Sequence, residues 1–180
     1  MILPLRLFFM ERCWILLGMM GAGKSSLGRA LAEQSGRSFI DTDILLQNRF
    51  GRPVSQIFQV YGEATFRDHE HSVLKTLEPG PHVLSTGGGI VLREDNWEQL
   101  RRLGTTIFLS ADLQTLINRL AISKKRRPLL ETEEWQEKTS QLLSQRLPLY
   151  ERADIVIKVD QFEIEEAAAA VHDAIRSYEA

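Results

Sequence analysis

The nine residues GMMGAGKSS, Gly18 to Ser26, place three glycines, a lysine and two serines directly after the apolar run CWILL. Their spacing fits G-x-x-x-x-G-K-[ST], a loop whose backbone N–H groups can converge on one anion. The lysine would reach the outer phosphates of a nucleotide, and the first serine hydroxyl would bind Mg²⁺. The alternative is a glycine turn that only connects two elements. The residues predicted to bind nucleotide phosphates are Gly21, Ala22, Gly23, Lys24, Ser25 and Ser26.

Two aspartates, Asp41 and Asp43, stand at the end of the next predicted strand, SFIDTD. Strand alternation would place both side chains on one side, facing the crevice above a parallel sheet. One could hold a metal ion through water, and the other could accept a proton or a hydrogen bond from a hydroxyl. Both could instead be helix-capping acids, because aspartate is a favoured N-cap residue.

An acceptor site is indicated by two arginines and a triple glycine. Gly87, Gly88 and Gly89 end the strand HVLS without side chains, so a small ligand could approach the backbone there. Arg67 and Arg146 lie among apolar residues, and arginine suits a bidentate grip on a carboxylate. The alternatives are a flexible turn and two surface or salt-bridge arginines.

Four cations, Lys124 to Arg127, precede Pro128 in a polar stretch. The segment 122–134 is predicted to be a lid that is mobile without ligands and brings an arginine onto the transferring phosphoryl group. The alternative is a solvated loop.

The elements that must position these residues alternate along the chain. Five strands are predicted, CWILLG, SFIDTD, HVLS, TTIFLS and ADIVIKV, separated by helical stretches. This order predicts an α/β fold with a parallel sheet covered on both faces. One domain is expected over residues 11–180 after a short extension, 1–10, and the segment 44–77 is expected to be helical in pieces. A helix is expected from about Glu134 to Arg146.

The composition limits which classes of function are expected. The 180 residues carry a formal net charge of −2, which gives no bulk basicity to argue for nucleic acid or a membrane surface. The single cysteine excludes an internal disulfide and fits a reducing compartment, so we expect a cytoplasmic chain. No apolar run approaches the roughly 18 residues of a membrane span. A monomer is the default expectation.

From about Cys13 onward the sequence resembles shikimate kinase. The matching pieces occur in family order: GMMGAGKSSLGRALA, FIDTD, the stretch from Ile57 to Arg67, STGGGIV, RPLL and the stretch from Arg146 to Asp154. The resemblance implies a three-layer P-loop kinase fold with a central five-stranded parallel sheet. It also implies transfer of the γ-phosphate of ATP to the 3-hydroxyl of shikimate, with Mg²⁺ as cofactor.

The resemblance further implies residue roles. Asp43 would bind the acceptor hydroxyl as base, and Asp41 would hold Mg²⁺ through water beside Ser25. Arg127 would be the lid arginine at the phosphates, and Arg119 would stack near adenine. The remaining substrate-binding positions would be Arg67, Arg146, Gly88 and Gly89.

Departures from the family pattern are small. Ser26 replaces the usual threonine, the N-terminal extension is longer than typical, and a nucleotide contact after the last strand cannot be aligned within KVDQFEIEE. Two other functions stay open: another P-loop small-molecule kinase, for a sugar acid or a nucleotide, and a non-catalytic binding module.

Overall fold

A five-stranded parallel sheet organises the computed structural model, which describes residues 12–123 and 127–180. Its strand order is β2-β3-β1-β4-β5. The strands are β1 (Cys13–Leu17), β2 (Ser38–Asp41), β3 (His82–Ser85), β4 (Gly104–Ser110) and β5 (Ile155–Lys158). The helices are α1 (Lys24–Ser35), α2 (Thr42–Phe50), α3 (Val54–Thr76), α4 (Glu94–Leu103), α5 (Leu113–Ile122), α6 (Trp135–Tyr150) and α7 (Ile164–Tyr178). The predicted α/β architecture is confirmed.

The central strand is apolar because it is covered on both faces. All five residues of β1 are buried, and β1 pairs in parallel with β3 and β4. Parallel pairing brings the carboxyl ends of β1, β2 and β3 to one edge of the sheet, where ligands of open α/β sheets bind. The loop Gly18–Gly23 and the triple glycine follow two of those ends, and Asp41 is the last residue of β2.

Helices α2 and α3 have a hydrophobic core of their own. Leu46, Ile57, Phe66 and Val73 form a small buried cluster between α2 and α3. Helix α3 is kinked at Gly62, whose φ of 79° and ψ of 168° interrupt the helix. The expectation that segment 44–77 is helical in pieces is therefore confirmed.

Two element boundaries were predicted wrongly. Strand β2 ends at Asp41, so Asp43 lies in the first turn of α2 and not on the strand. The Asp41 side chain accepts hydrogen bonds from backbone N–H groups of α2 and so caps that helix. The strand therefore ends two residues before the predicted end at Asp43. Helix α6 continues through Pro148 to Tyr150, one turn beyond the predicted end at Arg146.

Some of the predicted segments lie outside the described residues. Residues 1–10 and the start of the domain at residue 11 lie outside the described residues, as do Lys124, Lys125 and Arg126. Pro128–Leu130 form a short 3-10 turn. Within the ranges 12–123 and 127–180, no helix has the length and apolarity needed to cross a bilayer.

Candidate functional site: a nucleotide loop facing an acceptor pocket

The loop between β1 and α1 has the backbone that its glycines predict. Gly18, Gly21 and Gly23 have φ values of 145°, 88° and 92°, a region that favours glycine. Lys24 is buried, and its Nζ donates to the carbonyl oxygens of Gly18 at 2.7 Å and Met19 at 2.9 Å. The loop therefore points its lysine inward at the N-terminus of a 12-residue helix, where an anion is favoured.

Asp41 caps a helix, as one of the two predicted alternatives had it, and also contacts the loop through Ser25. Its Oδ1 accepts the backbone N–H groups of Asp43 at 3.0 Å and Ile44 at 3.4 Å, so it caps α2. Its Oδ2 accepts the hydroxyl of Ser25 at 2.8 Å, and the Ser85 hydroxyl lies 3.4 Å from that of Ser25. One buried carboxylate thus caps a helix and joins a group of oxygen atoms beside the loop.

This group of oxygens has the chemistry of a magnesium site. Magnesium is usually held by one or two protein carboxylates together with waters and phosphates, not by an all-protein cage. The described residues contain no cluster of three or more His, Cys, Asp or Glu side chains suited to a metal.

Asp43 lies on the cavity wall close to a second carboxylate, Glu70. A side chain on Gly87 would collide with Glu70 and come within 3.1 Å of Asp43 Oδ1. Gly87 is therefore required by close approach, and the two acids face each other across it. Burial raises the pKa of Glu70 to about 7, although its ion pair with Arg67 opposes the shift.

Arg67 is held by two carboxylates on its own helix. Nη1 pairs with Glu70, and Nη2 pairs with the half-exposed Glu63 at 2.9 Å. The guanidinium also lies 5.3 Å from the ring centroid of Phe66. Sequence reasoning missed Glu70, although its spacing of three residues from Arg67 puts both on one helical face.

Arg146 and Tyr150 reach the triple glycine from α6. Arg146 is 2% exposed, and its Nη1 donates to the Gly88 carbonyl oxygen at 3.3 Å. The Tyr150 hydroxyl donates to the same oxygen. Burial raises the pKa of Tyr150 to about 12, so the phenol stays a donor at neutral pH. Tyr150 was also missed, because the helix was predicted to end before it.

Arg67 and Arg146 thus approach adjacent glycines. A side chain on Gly89 would collide with the Arg67 guanidinium, and one on Gly88 would lie 3.7 Å from Arg146 Nη1. Two cations and a wall without side chains meet within one pocket.

Arg119 and Arg127 border the other end of the cavity. Arg119 Nη1 lies 4.0 Å from the position of a Cβ on Gly23, and Nη2 donates to the Val159 carbonyl at 3.4 Å. Arg127 Nη1 donates to the Ser123 hydroxyl at 3.0 Å, and burial lowers the pKa of Arg127.

One cavity of about 790 Å³ brings these groups together. The predicted site residues on its wall are Gly21, Ala22, Gly23, Lys24, Ser25, Ser26, Asp43, Arg67, Gly88, Gly89, Arg119, Arg127 and Arg146. Asp41 lies one hydrogen bond behind Ser25. The stretch that could not be aligned, after β5, contributes Val159, Phe162 and Ile164 to the wall.

Comparison with known proteins assigns the family. A model of the shikimate kinase family matches residues 20–176. The chain belongs to the shikimate kinase family. A shikimate kinase of Thermodesulfovibrio yellowstonii is 37% identical over 166 residues, 92% of this chain and 94% of that protein. Another, of Ruegeria pomeroyi, is 42% identical over 147 residues, 81% of this chain and 75% of that protein.

A solved structure agrees with the sequence relatives. Shikimate kinase from Acinetobacter baumannii in complex with shikimate superposes with a TM-score of 0.89 at 35% identity, covering 97% of this chain and 98% of that one. The fold is that of the P-loop kinases, and this member of the family is an ATP-dependent kinase.

Proposed function

We propose that this chain transfers the γ-phosphoryl group of ATP to the 3-hydroxyl of shikimate, as its family membership implies, with the residue roles set out below. The observation that carries these roles is one cavity in which Arg67, Arg146 and the Gly88–Gly89 backbone face the phosphate-binding loop. Such a pocket suits a small anion rich in hydroxyl groups, placed next to the transferable phosphate.

The acceptor carboxylate would bind between Arg67 and Arg146. Charge-assisted hydrogen bonds to guanidinium groups are among the stronger ones in proteins, and burial strengthens them. Glu63 pairs with Arg67 from a side chain that is 47% exposed, so the acceptor carboxylate can replace Glu63 at Nη2 at small cost. Glu70, which is buried, would keep its own pairing with Arg67.

Asp43 is the base that the geometry favours. Asp41 already accepts three hydrogen bonds, two from backbone N–H groups and one from Ser25. Asp43 lies on the cavity wall near Gly87, within the acceptor pocket. The acceptor hydroxyl oxygen would bond to the γ-phosphorus as the bond from phosphorus to the β,γ-bridging oxygen breaks, and its proton would pass to Asp43.

The nucleotide half follows from the loop and the arginines around it. Lys24 and Arg127 would neutralise charge that develops on the phosphoryl oxygens, and Arg119 would stack against adenine. Ser25, with Asp41 acting through water, would hold Mg²⁺. The chemistry supplied by Mg²⁺ at these residues would be positive charge that offsets the charge of the phosphates.

The organisation of the chain is proposed on the same basis. We assign residues 11–180 to one kinase domain, with segment 44–77 binding the acceptor, segment 122–134 acting as the lid, and residues 1–10 forming an extension. We also propose that the protein is a monomer and that it works in the cytoplasm. Its one cysteine, Cys13, is free, which supports a reducing compartment.

A coupled ADP-release assay tests the proposal. Purified protein with Mg²⁺ and ATP should release ADP rapidly with shikimate and only slowly without it. A panel containing gluconate and nucleoside monophosphates serves as the control for other kinase activities. Rapid ADP release with one of those acceptors and not with shikimate would contradict the proposal.

A further inference from the structure

The turn that forms the acceptor wall has few side chains of its own to hold it. Pairing of β3 in the sheet ends at Ser85, and Gly87, Gly88 and Gly89 follow. The next three residues form a 3-10 turn, Ile90–Leu92. Glycines are conformationally permissive, so the position of this wall depends on what anchors its backbone from outside.

The side chain of Asn96 provides such an anchor. It is 1% exposed, and its Nδ2 donates to the Ile90 carbonyl oxygen at 2.7 Å. Because Nδ2 is the donor, Oδ1 must accept, and it lies 2.8 Å from His71 Nδ1. The proton of that bond therefore sits on His71 Nδ1, and Asn96 bridges the turn to α3.

The bridge reaches α3 beside the acceptor arginine. His71 follows Glu70, and both lie one helical turn after Arg67. Arg67 in turn lies so close to Gly89 that any side chain there would collide with it. The spacing between α3 and the turn is thus set on one side by packing against Gly89 and on the other by the Asn96 amide.

A second link between the same elements is weaker. Arg93 Nη1 pairs with Asp68 at 2.7 Å, but the two side chains are 36% and 72% exposed. Exposed ion pairs of this kind contribute little, whereas an unmade hydrogen bond at a buried polar group is costly. The buried amide is the stronger constraint.

We propose that Asn96 is a positioning residue for the acceptor site, which holds the Gly88–Gly89 backbone at the correct distance from Arg67 through its bridge to His71. The inference rests on the proposed function, because it takes the pocket around Gly89 as the shikimate site. It predicts a larger effect on the acceptor than on ATP. The bridge itself contacts neither the phosphate loop nor Arg119, and only the Gly88 backbone lies next to that loop, with its Cβ position 3.4 Å from the Gly18 carbonyl oxygen.

The experiment compares steady-state kinetics of the whole enzyme and three variants. Asn96→Asp removes the donor to Ile90 and places a carboxylate against its carbonyl oxygen. His71→Leu removes the donor to Asn96, and His71→Asn keeps a donor near the same place. We expect Asn96→Asp to raise KM for shikimate by about tenfold, the effect of one lost buried hydrogen bond, with KM for ATP nearly unchanged. His71→Leu should also raise KM for shikimate, whereas His71→Asn should keep KM for shikimate near the wild-type value.

The controls separate the possible failures. Gln141→Glu makes the corresponding change of an amide to a carboxylate at an exposed position of α6 and should leave both KM values unchanged. If Asn96→Asp does not fold, the two His71 variants decide, because His71 is only partly buried. Equal changes in both KM values, or no restoration by His71→Asn, would overturn the inference. A wild-type enzyme that does not phosphorylate shikimate would instead overturn the proposed function.

Discussion

The proposed acceptor site combines two arginines that have different hydrogen-bond partners in the structure. Arg67 is paired with Glu63 and Glu70, whereas Arg146 donates to the Gly88 carbonyl. We expect Arg67→Ala and Arg146→Ala each to weaken shikimate binding more than ATP binding, because each removes one partner of a buried carboxylate. Calorimetric titration of both ligands measures this, with the exposed Arg176→Ala as the matched control. Equal losses for the two ligands would show that these arginines do not serve the acceptor.

The two aspartates should separate in their dependence on magnesium. Asp43→Asn should lower kcat strongly with little change in ATP affinity, because an amide cannot take the hydroxyl proton. Asp41→Asn should raise the Mg²⁺ concentration that gives half-maximal rate, and it should also lower stability, because Asp41 caps α2. Magnesium titrations of the initial rate at saturating ATP would reveal the difference. The same magnesium dependence in both variants would refute the separate roles.

Glu70 should make stability depend on pH. Burial raises its pKa from 4.5 to about 7, so between these values the folded chain keeps a proton that the unfolded chain has lost. The free energy of unfolding contributed by this group therefore falls as pH rises through the window, by about 3 kcal/mol in total. We expect Glu70→Gln to gain stability relative to wild type by that order between pH 4.5 and 8.

Urea unfolding of both proteins at several pH values measures the Glu70 effect. Glu63→Gln, which changes the exposed partner of the same arginine, is the matched control. Parallel curves of unfolding free energy against pH for wild type and Glu70→Gln would rule out the linkage.

At the scale of elements, the sequence predicted all five strands because each is a short apolar run between turn signals. Prediction from the sequence was wrong at the end of β2, where a side-chain cap decides the boundary between strand and helix. Asp41 caps a helix whose first turn contains Asp43, and strand alternation could not indicate this. Glu70 and Asn96 were missed because their importance lies in contacts with residues distant in sequence, Gly87 and His71, that only the folded chain brings near.

The kink in α3 is an element-scale feature that can be tested directly. Gly62 has a φ of 79° and a ψ of 168°, in a region essentially restricted to glycine, and a Cβ there would meet no atom within 4 Å. Gly51 ends α2 with a φ of 63° and a ψ of 21°, which alanine tolerates better. We expect Gly62→Ala to lower the free energy of unfolding by about 2–3 kcal/mol and Gly51→Ala by about 1 kcal/mol.

Denaturant titrations of the two glycine variants measure how far each substitution lowers the free energy of unfolding. Because Gly62 precedes both Glu63 and Arg67 in α3, the Gly62 variant should also bind shikimate more weakly. A Gly62→Ala protein as stable as wild type, with unchanged shikimate affinity, would show that the kink is not required.

At the scale of the whole molecule, strand order separates the two ligands. Central β1 leads into the phosphate loop, and β3 and β2 on one side lead into the glycine turn and Asp41. On the other side, β4 precedes α5 with Arg119, and β5 leads into Val159 and Phe162. The proposed acceptor pocket and the proposed nucleotide pocket therefore lie on opposite sides of the loop that would hold the transferred phosphate.

The most direct measurement is the position of the phosphate on the product. The enzyme would be incubated with Mg²⁺, ATP and shikimate, and the product would be analysed by phosphorus–proton correlated NMR. The proposed function predicts one phosphate ester, coupled to the proton on carbon 3, formed in the same amount as ADP. An ester on another hydroxyl, or ADP formed with inorganic phosphate and no ester, would contradict it.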